Sequence, residues 1–123
     1  MKSGNPGIIA ATTDLFIQSR LNELARSLGL SIKFESNEQE LKSLTASHPV
    51  LVVLDLSSGE YDPVTIIQAL KQTENPPRIL GYYPHVRKDL ETKARYAGID
   101  IAVPNSSLLE TMRKIFERER DKS

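Results

Sequence analysis

The chain has 123 residues, enough for one domain with a hydrophobic core of its own, and we expect that domain to span 1–123. Sixteen lysine and arginine side chains balance sixteen aspartate and glutamate side chains, so no net charge favours a nucleic acid or a membrane surface as partner. The absence of cysteine excludes disulfides, thiolate metal sites and cysteine nucleophiles. Two widely separated histidines, His48 and His85, argue against a histidine-rich metal site.

The first six residues are expected to form a flexible lead into the first strand. The apolar run that follows, Ile8 to Ala11, is too short for the core of a signal peptide or for a membrane span. Together with the lack of cysteine, this predicts a cytoplasmic protein that does not bind membranes.

Five short apolar runs predict five strands, separated by longer amphipathic segments. The predicted strands cover residues 7–11, 31–35, 50–54, 78–82 and 100–103. The third contains five consecutive aliphatic residues, Val50 to Leu54. Such a run is typical of a strand buried on both faces, as in a parallel sheet covered by helices.

Apolar residues at three- and four-residue spacing predict five helices. The first carries Ile17, Leu21, Leu24, Ala25 and Leu28, the second Leu41 and Leu44, the third Ile66, Ile67 and Leu70, the fourth Val86, Leu90, Ala94 and Ala97, and the fifth Leu108, Met112, Ile115 and Phe116. Residues 118–123 form a polar end in which the charges alternate in sign, unlike a basic nucleic-acid-binding arm.

Residues that start and stop helices fall at the expected boundaries. They are, in chain order, Gly29 after the first helix, Ser36 with Gln39 in a capping box, Asp62 before Pro63, Gly98 after the fourth helix, and Ser107 with Glu110 in a second capping box. The alternation of strands and helices predicts an α/β fold, a three-layer, doubly wound parallel sheet with right-handed crossovers.

Asp55 follows the third strand, at the edge of the sheet where folds of this class bind ligands. Five strand–helix units with an aspartate at this point resemble the receiver domain of bacterial response regulators, over essentially the whole chain. The resemblance implies a flavodoxin-like sheet with strand order 2-1-3-4-5. It also puts Asp55 at the position of the residue that accepts a phosphoryl group in that family.

Receivers also carry a pair of acidic residues after the first strand, which help to hold a magnesium ion. The simplest alignment puts Thr12 and Thr13 there, and a shift of one residue brings Asp14 to the second position. Asp14 is otherwise explained as a carboxylate at the N-terminus of the first helix. The main expectation is therefore a pocket without metal or other cofactor, and the alternative is a reduced magnesium site of Asp55 and Asp14.

Two more residues of the family's phosphorylation pocket are replaced in this chain. Tyr82 or Tyr83 lies nearest the family's serine or threonine after the fourth strand. The family's lysine at the end of the fifth strand has no counterpart, while Pro104, followed by Asn105, corresponds to the proline beside that lysine. Ser57, in the loop after the third strand, completes the predicted pocket. Phosphoryl transfer depends on positioning and on charge neutralisation by metal and cation. We therefore expect a pseudo-receiver that signals without phosphorylation.

The segment 81–86 and the start of the fourth helix are the predicted partner-binding surface. Tyr82 and Tyr83 have the character of interface anchors, and His85, Arg87 and Lys88 add polar groups. The alternative is that one tyrosine packs at the sheet edge, the other covers the pocket, and the histidine caps the fourth helix. In receivers the face of the fourth and fifth helices often mediates dimerisation or output, so that face is the expected site of a partner or of a homodimer.

Other functions have less support. A small-ligand binder at the strand-end crevice remains an alternative because this fold binds ligands there, although residues 11–14 lack the glycine of a phosphate-binding loop. Ser57 and Ser58 occur without a histidine in a recognisable catalytic motif, so we expect no enzymatic activity. The preferred hypothesis is a stand-alone signalling module that acts through protein contacts, and the first alternative is a phosphoaccepting receiver.

Overall fold

A computed structural model describes residues 7–43 and 49–121, with the side chains of residues 119 and 120 excepted. The predictions for residues 1–6, for Leu44 and His48, and for residues 122–123 lie outside the described residues. The strands are β1 (Ile8–Ala11), β2 (Ile32–Phe34), β3 (Leu51–Asp55), β4 (Arg78–Tyr83) and β5 (Ile101–Pro104). The helices are α1 (Leu15–Ser27), α2 (Glu38–Lys42), α3 (Pro63–Lys71), α4 (Lys88–Ala97) and α5 (Leu108–Asp121).

The five strands form one parallel sheet in the order β2-β1-β3-β4-β5, which confirms the predicted fold. β1 pairs with β3 from Ile8 opposite Leu51 to Ala11 opposite Leu54. β3 pairs with β4, and Asp55 lies opposite Tyr82 at the end of that pairing. The carboxyl ends of the central strands therefore meet at one edge of the sheet.

The sheet is buried on both faces, as the aliphatic third strand predicted. Successive residues of β3 alternate between two hydrophobic cores because side chains alternate across a strand. Val52 and Leu54 pack with apolar residues of α2, α3 and α4, and Leu51 and Val53 pack with those of α1 and α5. Val50 is the exception, since it precedes the strand and is 42% exposed.

The helix boundaries confirm three of the predicted signals. Asp62 caps α3 and accepts a hydrogen bond from the Val64 backbone N–H at 3.2 Å, with Pro63 at the first helical position. Gly29 and Gly98 follow α1 and α4 with φ of 73° and 104°, values that glycine adopts without a steric penalty. None of the described helices is long and apolar enough to cross a membrane.

Other boundary predictions are corrected by the structure. α2 begins at Glu38 and is capped by Asn37, which accepts bonds from the N–H groups of residues 39 and 40, so Ser36 is not the cap. Val86 is 72% exposed and precedes α4, so it does not belong to the apolar face of that helix. The second predicted capping box, Ser107 with Glu110, falls at a different kind of boundary. Ser107 is the last residue of a single 3-10 turn, Asn105–Ser107, which leads directly into α5.

Candidate functional site

The predicted pocket residues come from loops and strand ends at the carboxyl edge of the sheet. Asp55 lies opposite Tyr82, and Tyr83 lies opposite Pro104, in adjacent strand pairs. Thr12 directly follows β1, which neighbours β3. The parallel topology thus brings together side chains that lie far apart in sequence, as the resemblance implied.

Asp55 is held by its own loop. One oxygen of its carboxylate, Oδ1, accepts hydrogen bonds from the Ser57 backbone N–H at 2.9 Å and from the Ser57 hydroxyl at 2.8 Å. The Ser58 N–H donates to the Asp55 backbone carbonyl at 3.2 Å. Aspartate commonly stabilises turns by such local bonds. Ser57, one of the predicted pocket residues, thus orients the Asp55 carboxylate.

Tyr61, in the loop after β3, joins the ends of β1 and β3. The Tyr61 hydroxyl accepts a hydrogen bond from the Asp55 backbone N–H at 2.8 Å. It lies 2.7 Å from the Ala11 carbonyl oxygen and 2.9 Å from that of Asp55, and its single proton serves these two acceptors. Tyr61 is only 5% exposed. Its side chain therefore cross-links the end of β1 to the end of β3.

The surroundings of Tyr61 keep its hydroxyl protonated. Burial is the main cause that raises the pKa of Tyr61 above its usual value, and the neighbouring charge of Asp55 adds to the effect. A protonated hydroxyl can both donate and accept, which the three backbone partners require. Sequence reasoning did not single out Tyr61, because nothing in the local pattern shows that this loop residue folds back under the strand ends.

Thr12 forms a second buried contact at the same edge. The Tyr82 hydroxyl donates a hydrogen bond to Thr12 Oγ1 at 2.7 Å, and the Asp14 backbone N–H donates to the same oxygen at 3.1 Å. Thr12 is 3% exposed, whereas Thr13 is exposed. Burial raises the pKa of Tyr82, so this phenol also remains protonated.

Asp14 acts as the N-terminal cap of α1. Its Oδ1 accepts hydrogen bonds from the backbone N–H groups of Phe16 at 2.9 Å and Ile17 at 3.2 Å. This confirms the interpretation of Asp14 as a helix N-terminal carboxylate.

The two carboxylates at this edge, those of Asp55 and Asp14, are each partly engaged by the protein itself. Asp55 uses one carboxylate oxygen for Ser57, and Asp14 uses one for the α1 backbone. Across the described ranges, no three His, Cys, Asp or Glu side chains come together in a way that could hold a metal ion. Magnesium prefers near-octahedral coordination by oxygen ligands, usually including carboxylates.

The expectation that Tyr82 and Tyr83 are exposed interface anchors is wrong. Each is only 2% exposed, because β4 is covered on both faces. Tyr82 packs into the core beside α1 and α5, and Tyr83 packs into the core beside α3 and α4. Burial, together with a hydrogen bond to the Glu91 carboxylate, raises the pKa of Tyr83.

The rest of the predicted partner surface is exposed. Arg87 makes a bidentate ion pair with Asp89, with both N–O distances at 2.9 Å, and this pair holds the pKa of Asp89 down at about 2. The Lys88 ammonium lies 5.9 Å from the centre of the Tyr83 ring and 3.9 Å from the Glu91 carboxylate. His85 is exposed, and the residue at the N-terminal boundary of α4 is Arg87, so His85 is not the cap.

The end of β5 lacks a cation, as the sequence indicated. Pro104 is the last residue of the strand, and Asn105 begins the 3-10 turn that leads into α5. Pro104 is half-buried and Asn105 is exposed. This part of the edge therefore contributes a proline ring and an amide.

Sequence reasoning missed the most exposed aromatic residue among those described. Tyr96 on α4 is 90% exposed and lies beside Thr92 and Arg95 on the outer side of the helix. A usable signal existed, because the apolar face of this helix runs through Leu90, Ala94 and Ala97 and leaves Tyr96 outside it. Leu15 and Phe16, at the start of α1, are also exposed, at 77% and 65%.

No family model matches the sequence, and no curated protein matches it. Solved structures do match. A response regulator from Hahella chejuensis is 13% identical, with a TM-score of 0.79 over 92% of this chain and 93% of that chain. A receiver domain from Bermanella marisrubri is 19% identical, with a TM-score of 0.74 over 90% and 98%. A response regulator from Thermotoga maritima is 19% identical, with a TM-score of 0.72 over 93% and 99%. The chain thus has the fold of response-regulator receiver domains.

Proposed function

We propose that the chain is a receiver-like signalling module that acts through protein contacts and does not require phosphorylation of Asp55. The observation that carries the proposal is how the strand ends are held together. The Asp55 carboxylate is bound by Ser57, and hydroxyl groups of Tyr61 and Tyr82 join the neighbouring strand ends. The proposal includes a cytoplasmic location, no cofactor and no enzymatic activity.

The chemistry of this edge supports the proposal. A phosphoryl group adds negative charge that metal ions and cationic side chains must offset. The residues at or directly after the ends of β1, β3, β4 and β5 are a threonine, an aspartate, a tyrosine and an asparagine, namely Thr12, Asp55, Tyr83 and Asn105. None of these four carries a positive charge, so an aspartyl phosphate at Asp55 would lack the groups that stabilise it.

The partner surface that we propose is the outer face of α4. Lys88, Thr92, Arg95 and Tyr96 follow one another at helical spacing and are exposed. Tyr96 supplies a large ring with few rotatable bonds, a property of residues that dominate binding energy at interfaces. His85 and Arg87 extend this face towards the sheet edge. The partner is a second protein or, through the α4 and α5 faces, a second copy of this chain.

The test of phosphorylation independence is an amide NMR titration with magnesium and then beryllofluoride, which mimics an aspartyl phosphate. We expect the spectra of the wild type and of Asp55→Asn to respond alike, since the pocket provides no cation for the added charge. Saturable shifts that spread from Asp55 to Tyr83 and α4, and that vanish in Asp55→Asn, would establish the phosphoaccepting alternative with Asp14.

The test of the partner surface uses Tyr96→Ala with the Phe16→Ala variant as its control. Both changes remove an exposed ring, but from opposite sides of the sheet. We expect affinity capture to retain the same proteins with the wild type, Asp55→Asn and Phe16→Ala, and to lose them with Tyr96→Ala. Loss with Phe16→Ala and retention with Tyr96→Ala would move the partner site to α1.

A further inference from the structure

A cleft separates the loop after β3 and the start of α3 from α4. Its volume is about 350 Å³, at the lower end of the range found for small-molecule sites. It lies to the α3–α4 side of Asp55 and does not include the Asp55 side chain. The cleft therefore lies beside the strand-end crevice that the sequence suggested for a small ligand, and it shares Ser57 with that crevice.

The cleft combines an apolar base with polar walls. Leu56 and Ala94 are buried, and Leu90 packs against the same core, so their side chains form an apolar base. Ser57 and Ser58 supply hydroxyl groups on one wall. A ligand that fits must therefore present hydrocarbon or aromatic surface to the base and polar atoms to the rim.

Two cationic side chains and one carboxylate line the cleft. Arg87, directly before α4, and Lys93, on α4, line the cleft, and Arg87 is already paired with Asp89. Lys93 is exposed and lies within ion-pair distance of no carboxylate among the described residues, although its charge helps Arg87 to lower the pKa of Asp89. Asp62, on the opposite wall, directs its carboxylate oxygens to the Val64 N–H and, at 2.8 Å, the Thr65 hydroxyl. Lys93 is thus the cation available to a ligand.

We propose that this cleft binds a small carboxylate with an aromatic or aliphatic body, the carboxylate near Lys93 and the body over Leu56, Leu90 and Ala94. The ligand would also contact Ser57, the residue that orients Asp55 through two hydrogen bonds. A ligand in the cleft therefore changes the surroundings of Ser57 and, through it, of the Asp55 carboxylate at the end of β3. This inference goes beyond the proposed function, and neither the beryllofluoride titration nor the capture experiment decides it.

The test is an amide NMR titration of the full chain with three probes that share one ring system. Indole-3-acetate is anionic, indole-3-acetamide is neutral and tryptamine is cationic. We expect saturable shifts with indole-3-acetate at Leu56, Ser57, Leu90 and Ala94, and weaker binding of the other two probes. Equal responses to all three would overturn the anion preference. No saturable shifts with indole-3-acetate, phenylacetate or octanoate at millimolar concentration would overturn the site itself.

The role of Lys93 is tested with Lys93→Gln, a change at an exposed position that leaves the core intact. We expect the affinity for indole-3-acetate to fall about two- to fivefold, the effect of one partly exposed ion pair. The control is Lys33→Gln, which removes a lysine from β2 at the other edge of the sheet and should leave the affinity unchanged. Equal affinities of the wild type and Lys93→Gln would overturn the placement of the carboxylate.

Discussion

Hydroxyl groups of buried tyrosine side chains link the strand ends at the carboxyl edge of the sheet. The Tyr61 hydroxyl contacts backbone atoms of Ala11 and Asp55, and the Tyr82 hydroxyl contacts Thr12. Burial and the nearby Glu91 carboxylate on α4 raise the pKa of Tyr83. A neutral hydroxyl satisfies buried polar groups without the desolvation cost of a buried charge. These neutral hydroxyl groups therefore hold the strand ends together.

At the residue scale, we expect Tyr61→Phe to lower the free energy of unfolding by about 1–3 kcal/mol. The change leaves the Asp55 N–H and the Ala11 carbonyl without a hydrogen-bond partner in a buried position, and unsatisfied groups carry a cost of that size. Urea unfolding followed by circular dichroism measures it.

The control for Tyr61 is Tyr96→Phe, which removes a hydroxyl from a side chain that is 90% exposed. Surface changes of this kind alter stability by less than about 0.5 kcal/mol. If both variants unfold at the wild-type urea concentration, the Tyr61 hydroxyl does not stabilise the strand ends.

At the scale of elements, β4 shows how close the layers lie. A Cβ atom added at Gly81 would lie 2.8 Å from side-chain atoms of both Leu56 and Ile99, which is closer than real Cβ contacts. The glycine thus lets the loop after β3 and the residue after α4 pack directly on the strand. This explains why a glycine precedes the two tyrosines within a strand that is otherwise made of large residues.

We expect Gly81→Ala to destabilise the protein by about 1–3 kcal/mol, because overpacking a filled core forces its neighbours to move. Thermal unfolding measures the loss. The control is Gly59→Ala, since nothing lies within 4 Å of a Cβ at Gly59 and its backbone is not left-handed. That change should be neutral or stabilising by about 0.4–1 kcal/mol. Equal melting temperatures for the two variants would contradict the close approach at Gly81.

At the scale of the whole molecule, the buried tyrosines link stability to alkaline pH. Burial raises the pKa values of Tyr61, Tyr82 and Tyr83 above the usual 10.0. The folded protein therefore retains these protons at a pH where the unfolded chain releases them. Their contribution to stability is fully present below about pH 10 and is lost as the pH rises above it.

We expect the free energy of unfolding from urea titrations to be constant across neutral pH and to fall steadily above about pH 10. Tyr61→Phe should show a shallower fall, since one proton-retaining group is gone. Phenolate absorbance from the buried tyrosines should rise together with the loss of circular dichroism. Complete phenolate formation in a protein that keeps its circular dichroism would show that these side chains ionise without unfolding.

The sequence by itself determined the local features of this protein. The spacing of apolar residues located the five strands and five helices, because a buried face requires apolar residues at the period of the helix or strand. Asp62 before Pro63, and Gly98 after α4, marked helix ends because those boundaries depend on neighbouring residues alone. The sequence also predicted that Asp14 caps α1, because this role too depends only on neighbouring residues.

Only the tertiary structure decided what the carboxyl edge of the sheet can do. Tyr61 meets Ala11 across 50 positions of the sequence, and Tyr82 meets Thr12 across 70. Such contacts depend on strand order, register and the paths of loops, which local patterns do not encode. The same holds for exposure, since Tyr82 is covered by α1 and α5 and Tyr83 by α3 and α4, while Tyr96 is left in solvent.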